Sequence, residues 1–413
     1  MKILLSFLLF SCSLLFLHAQ DQSACAGDRY RSEIFVSTDS TLAVKYGENV
    51  TIGGNAQELF MDIYEPAGDT VTQRPLIILA FGGSFISGDR KQLKALCEDL
   101  SRRGFVTASI DYRLFDGSFI PFPTQADIVD VVIKAISDMR ASVRFWKAEI
   151  DSINAFRIDP DQIFIGGVSA GAITAAHVAM LDSTELSPAD SLIQQAIANN
   201  GGWEGNSNTL FQYTSEVQGL ISYSGALVDA SWIDANDPPF VVFHDDMDPI
   251  VPYGDGQIQL GIVPILEAAG SLSMSQRGNS IGVFNRLFTI EDSDGHVSYF
   301  TTTEELRDSV GDFTSDFLFE LLCPDLLANV EGPLSQTSKF AAYPNPTNDY
   351  LYIQSDNLAA ISSIQLLNSL GQRVGRWTVR EAINLTEMEA GMYMLEIIYV
   401  DNTQAERVKI LKQ

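Results

Sequence analysis

Ser169 sits in Gly167-Val168-Ser169-Ala170-Gly171, directly after the apolar run Gln162-Ile163-Phe164-Ile165-Gly166. The helix-forming stretch Ala172-Ile173-Thr174-Ala175-Ala176-His177-Val178-Ala179-Met180 follows it. Strand, sharp turn and helix in that order make a nucleophile elbow. The flanking glycines let strand and helix approach, and the backbone at the serine is expected to be strained. The hydroxyl is then held clear at a helix N-terminus, where developing negative charge is stabilised. The chemistry this suits is acyl transfer, which also needs a base, an acid that orients it, and donors for an oxyanion.

The acid is expected after a late strand. Phe240-Val241-Val242-Phe243-His244 runs into Asp245-Asp246-Met247-Asp248-Pro249-Ile250-Val251-Pro252. Asp248, fixed between strand and prolines in a D-x-x-V-P pattern, is the first choice, with Asp245 and Asp246 close enough to compete. An acidic turn without chemistry is the plain alternative, since Asp and Pro favour turns. The histidine follows by elimination. His177 lies two turns down the helix after Ser169 and cannot reach back over the elbow. His244 precedes the acid and ends a strand, which suits bracing the loop. His296, in Asp292-Ser293-Asp294-Gly295-His296, follows the last strand candidate and completes the chain order serine, acid, histidine. Its Nε2 would take the Ser169 proton while Nδ1–H bonds Asp248.

Oxyanion donors are expected from Gly82 and Gly83, which follow the early strand Leu76 to Ala80, together with the N–H of Ala170. The glycine spacing fits neither a phosphate-binding P-loop nor a dinucleotide fingerprint. Phe81 and Ser84 flank the pair and are candidates to touch substrate. So is Trp203, in a segment between Asp182 and Gly219 that reads as a cap or rim with Glu204, Phe211 and Tyr213.

These residues need a scaffold that places strand ends side by side. Seven short runs supply it: Leu59 to Tyr64, Leu76 to Phe81, Val106 to Asp111, Ile163 to Gly167, Gly219 to Tyr223, Phe240 to His244 and Arg286 to Glu291. Several are continuously apolar, as strands buried on both faces must be. Helical periodicity fills the gaps, from Leu93 to Arg103 and from Thr124 to Ile150. The pattern predicts an α/β class fold, a doubly wound and mostly parallel sheet with its chemistry at the C-terminal strand ends.

The chain has 413 residues and a formal net charge of −27. Such acidity repels phosphate and argues against a nucleic-acid partner. Lys2 and the apolar run from Ile3 to Phe16 read as a secretory signal peptide over 1–19, cleaved before Gln20 and too short to anchor in a membrane. Export permits disulfides. Cys25, Cys97 and Cys323 remain; a Cys25–Cys323 bridge would staple the ends of the catalytic region, while Cys97 reads equally as a buried free thiol or a partner for Cys25. The texture changes after Cys323. The catalytic region is placed at 20–327, a polar linker at 328–338, and a small all-β sandwich at 339–413, with strand-like runs such as Tyr350 to Ile353, Ile364 to Leu367 and Met392 to Val400.

Two resemblances fit these parts. Residues 24–322 resemble the carboxylesterase branch of the α/β-hydrolase superfamily, which carries an H-G-G-G loop and a G-x-S-A-G elbow. The resemblance rests on the elbow, on Ala108-Ser109-Ile110-Asp111-Tyr112-Arg113-Leu114, on Asp161-Gln162-Ile163-Phe164-Ile165-Gly166-Gly167 and on Glu204-Gly205-Asn206-Ser207. It implies a cofactor-free and metal-free serine hydrolase working through an acyl-enzyme on small acyl esters, acetyl or feruloyl groups on polysaccharide, or a polyester. Phe81 and Ser84 replace the usual first His and last Gly of the loop, and Asp245 replaces a Gly after His244. At the equivalent place an aromatic lines the pocket of polyester hydrolases, so Phe81 is expected at the substrate. A prolyl-oligopeptidase-type peptidase and a catalytically silent surface protein are the alternatives. The last ~75 residues resemble the type A sorting domain of the Bacteroidetes type IX secretion system through Tyr343-Pro344-Asn345-Pro346, Asn368-Ser369-Leu370-Gly371-Gln372, Ala390-Gly391-Met392-Tyr393 and Lys409-Ile410-Leu411-Lys412. That implies the type IX machinery as a partner and a secreted or cell-surface protein.

Overall fold

The computed structural model describes Cys25, residues 27–260 and 263–324, and, further on, 340–343, 347, 350–355, 361–367, 373–377, 383–386, 388, 391–399 and 405–412. The predicted leader (1–19) and linker (328–338) lie outside the described residues. The chain parts into two compact units between Leu326 and Leu327.

The first unit opens with an antiparallel pair, β1 (Thr38–Val50) and β2 (Ala56–Pro66). Then come β3 (Arg74–Ala80), α1 (Lys94–Arg102), β4 (Val106–Ile110), α2 (Gln125–Ser152), β5 (Ile158–Val168), α3 (Ala170–Met180), α4 (Ser191–Asn199) and β6 (Gly219–Tyr223). A short excursion, β7 (Ala226–Leu227), precedes β8 (Phe240–Asp245). β9 (Asp255–Leu260) and β10 (Val263–Gly270) form a hairpin, followed by α5 (Ser271–Ile281), β11 (Asn285–Ile290) and α6 (Glu304–Leu322). Eight strands make one sheet in the order β1-β2-β4-β3-β5-β6-β8-β11, parallel from β4 onward. This is the α/β-hydrolase fold.

All seven strands read from the sequence are present. β3 is buried along its whole length, as continuous apolarity requires when helices cover both faces. α2 begins where Thr124 and Asp127 form a capping box, each side chain accepting from the other's backbone N–H. β1 is largely exposed at the sheet edge; lacking a buried face, it carries no clear apolar alternation. Cys25 and Cys323 form a disulfide and Cys97 is a buried free thiol.

The second unit is all-β among the described residues. β12 (Phe340–Tyr343), β13 (Tyr350–Ser355) and β16 (Ile383–Asn384) form one antiparallel sheet. β14 (Ile361–Leu367), β15 (Arg373–Trp377), β17 (Gly391–Tyr399) and β18 (Ala405–Lys412) form a second, in the order β15-β14-β17-β18. Leu351, Ile364, Leu366, Ile383, Leu395 and Ile410 share one apolar core.

Candidate active site

Ser169 ends the strand-to-helix turn between β5 and α3 with φ 53° and ψ −117°, outside the regions that L-residues favour. The turn is that tight because α3 must start against β3. A Cβ on Gly171 would lie 2.1 Å from the Ala80 carbonyl oxygen, so only glycine fits. The strain is stored at Ser169 and held by the close packing of α3 on β3.

His296 Nε2 stands 2.8 Å from Ser169 Oγ, and His296 Nδ1 stands 2.7 Å from Asp248 Oδ2. The residues come from three separate segments and meet at the C-terminal ends of β5, β8 and β11. The other carboxylate oxygen of Asp248 accepts from the N–H groups of Ile250 (2.8 Å) and Val251 (3.1 Å). Burial alone would raise this carboxyl. Hydrogen bonds from His244 and His296, with the Ile250 N–H, outweigh it and hold the group at about 2. Asp248 therefore stays ionised and keeps the His296 proton on Nδ1.

His244 braces the loop, as expected. Its Nε2–H donates to the Val251 carbonyl (3.0 Å) while Nδ1 accepts from Ser271 Oγ (2.7 Å). His177 points elsewhere, bonded to the Ile173 carbonyl within its own helix. Asp245 and Asp246, which competed for the acid role, instead clamp the loop that carries His296. Asp245 accepts from the hydroxyls of Ser293 and Ser298 and from the Ser298 N–H, and Asp246 accepts from the N–H groups of Asp292 and Ser293. Sequence reasoning saw these acids but not their partners Ser293 and Ser298; two serines bracketing a histidine, opposite an Asp-Asp pair, were the available signal.

Gly82 and Gly83 lie alongside the elbow. A Cβ on Gly82 would come 3.2 Å from Ser169 Cβ. Gly83 has φ 129°, and a Cβ there would meet the Ser87 carbonyl oxygen at 2.0 Å. Ala170 is the first residue of α3, so its N–H has no partner one turn back. Gly82 and Gly83 line the same cleft as Ser169, and Ala170 follows it directly at the start of α3.

Two spaces meet at Ser169, and Ser84 and Ile250 line both. One is a narrow apolar arm of about 90 Å³. Its walls are Phe115, Phe119 and Phe122 after β4, Ile128, Val131 and Val132 on α2, and Ile258 and Leu266 on the β9–β10 hairpin. The other is a wide cleft of about 970 Å³, lined by Gly82, Gly83 and His296 and by charged side chains including Glu98, Arg102, Glu304 and Arg307.

Two expected substrate residues are corrected. Phe81 is buried in the core, its ring stacked on Tyr112 at 4.3 Å, and lines neither space. Tyr112 in turn donates to the Phe81 carbonyl, so the pair supports the Gly82-Gly83 loop that follows. Trp203 also lines neither space; its ring covers the Arg140 guanidinium at 4.3 Å. The walls of the apolar arm come from the loop after β4 and the β9–β10 hairpin rather than from the expected 182–219 cap.

Comparison with known proteins gives both parts a setting. Residues 61–227 match the BD-FAE family and residues 341–412 match the secretion system C-terminal sorting domain. The two-part resemblance read from the sequence, an α/β-hydrolase followed by a sorting domain, therefore holds. The first match takes in Ser169 and the glycine pair and ends before Asp248 and His296. The chain is 28% identical over 215 residues to the Arabidopsis thaliana protein named "Probable isoprenylcysteine alpha-carbonyl methylesterase ICMEL1", covering 46% of this chain and 42% of that one. It is 28% identical over 222 residues to Esterase LipQ of Mycobacterium tuberculosis, covering 49% of each. It thus spans less than half the length of these relatives. A solved structure, esterase Est2 of Thermogutta terrifontis, superposes with a TM-score of 0.49 at 18% identity, covering 68% of this chain and 94% of that one.

Proposed function

We propose that this chain is a secreted serine carboxylic-ester hydrolase that works through an acyl-enzyme. The observation that carries the reading is the continuous hydrogen-bond chain Ser169–His296–Asp248 beside the N-terminus of α3 and the Gly82-Gly83 loop. Ser169 Oγ attacks the ester carbonyl carbon as Nε2 of His296 takes its proton. The negative charge that forms on the carbonyl oxygen is met by N–H groups of Gly82, Gly83 and Ala170. Asp248, ionised and buried, stabilises the imidazolium and fixes its orientation. The C–O bond then breaks, and His296 returns the proton to the departing alkoxide as the alcohol leaves. Water, deprotonated by the same imidazole, attacks the acyl-enzyme, and the acid departs with Ser169 regenerated.

The two spaces divide the substrate. The apolar arm suits a small or medium acyl group, while the wide cleft with a charged rim accommodates a bulky polar alcohol such as an esterified polysaccharide. The sorting-domain match supports export by the type IX route, with 1–19 removed as leader, 20–327 as the catalytic part, 328–338 as linker and 339–413 as the sorting part. Among the described residues no helix is long and apolar enough to cross a membrane.

The test uses protein recovered from the medium of an exporting host, wild type beside Ser169→Ala, on p-nitrophenyl acetate, butyrate and octanoate. Turnover is expected in wild type and should fall by at least about 10³-fold in the variant; intact mass reports which segments were removed. Equal turnover in both proteins would sink the mechanism. Cleavage of peptide anilides in preference to esters would move the reading to a peptidase.

A further inference from the structure

The apolar arm at Ser169 ends against a second cavity for which the reaction has no use. This cavity, of about 280 Å³, lies between α2 and α4, with Ile133, Leu181 and Ile193 among its walls. Val132, His177, Val228 and Leu266 line both spaces. The partition between them is therefore a single layer of side chains. The pocket is partly open to solvent and mostly apolar, so an apolar chain that passes the partition can bury itself there.

The partition has a fixed half and a yielding half. His177 Nδ1–H donates to the Ile173 carbonyl at 2.8 Å, its Nε2 accepts from the Val228 N–H at 3.4 Å, and Trp232 packs edge-on against the ring. Burial pulls its pKa down to about 4, so the ring stays neutral and seated. Val132 and Leu266 have no polar tether. They are half-buried and pack against the small apolar cluster of Val129, Ile133, Ile136 and Ala196, and Val132 also touches the main core.

We infer that the second cavity is the distal part of an acyl site, and that Val132 and Leu266 set the length at which an unbranched acyl chain is stopped. The inference rests on the ester-hydrolase reading of Ser169. The near arm, at about 90 Å³, is smaller than an apolar cavity of ~150 Å³ that takes benzene, so it holds a short chain. Removing the partition joins it to a space three times its size, and each methylene that enters gains up to about fourfold in binding.

The test compares kcat/KM for p-nitrophenyl octanoate and dodecanoate in the full chain. Leu266→Ala should raise the dodecanoate-to-octanoate ratio at least about tenfold over wild type; full burial of the additional methylenes would allow more than about a hundredfold. Ile193→Trp fills the distal cavity without touching the near arm, so adding it to Leu266→Ala should cancel the gain. Val132→Ala is the second opening variant should Leu266→Ala fail to fold. The same variants in a Ser169→Ala background are titrated with dodecanoate and octanoate by calorimetry, which needs no turnover. An unchanged ratio and unchanged dodecanoate affinity in the opened variants would overturn the inference. Selective dodecanoate binding by the opened variants, with no ester turnover in wild type, would uphold the distal cavity and overturn the ester-hydrolase reading instead.

Discussion

At the scale of single residues, the site is a set of side chains each held by a neighbour. Asp248 shows this most directly. Its folded value, about 2, lies below its ordinary 3.8, so the ionised form is what folding favours. The sign follows: its contribution to stability is present above about pH 4 and is lost as pH falls towards about 2. Asp248→Asn should lose about 10³–10⁴-fold in kcat and melt lower than wild type at neutral pH. The two melting curves should converge on acidification through that window, and a gap that widens there would contradict the assignment. Asp245 acts one layer out, through the two serines and the backbone beside His296. Asp245→Asn is expected to lower kcat about 10–100-fold with KM for p-nitrophenyl butyrate nearly unchanged, because small displacements of a base are costly. A change confined to KM would show that the clamp shapes the pocket instead. The three hydrogen-bonded residues Ser169, His296 and Asp248 were legible because chain order and a scarcity of histidines left few options. Phe81 and Trp203 were misread because which face of a loop a ring occupies depends on partners, Tyr112 and Arg140, that are distant in sequence.

At the scale of elements, the parallel strands announced themselves by unbroken apolarity and α2 by its period. The β9–β10 hairpin did not. Gly261 and Pro264 interrupt its apolar run, and only the folded position of the hairpin over α2 makes it a wall of the arm. The arm's other wall depends on where α2 begins. Thr124 caps that helix, accepting from the Asp127 N–H, and Ile128 lines the arm one turn later. Thr124→Ala should cost about 1 kcal/mol, read as a drop of about 2–4 °C in Tm. Fraying there loosens the arm, so KM for p-nitrophenyl octanoate should rise more than KM for the acetate. Equal changes for both esters would mean that the first turn of α2 plays no part in acyl binding.

At the scale of the whole molecule, the catalytic unit is closed end to end by one covalent link. Cys25 and Cys323 are 298 residues apart in sequence and bonded, with Cys323 directly after α6. α6 packs on β8 and β11, the strands that carry the acid and lead to the histidine, so an end that frays loosens the site from behind. The sequence left the pairing open because spacing alone does not choose among three cysteines; the fold decides by turning Cys97 to the buried face of α1, where burial pushes its thiol up to about 12. A loop this long loses much of its unfolded-state freedom on cross-linking, for about 2–5 kcal/mol of stability. Cys25→Ser/Cys323→Ser should therefore melt lower by that margin, and dithiothreitol should lower wild type to the same point while leaving the double variant unmoved. Cys97 should resist iodoacetamide in every folded sample and react only on denaturation. A reductant-insensitive Tm in wild type would mean that the ends of the unit are held by packing alone, and rapid alkylation of native Cys97 would contradict its burial on α1.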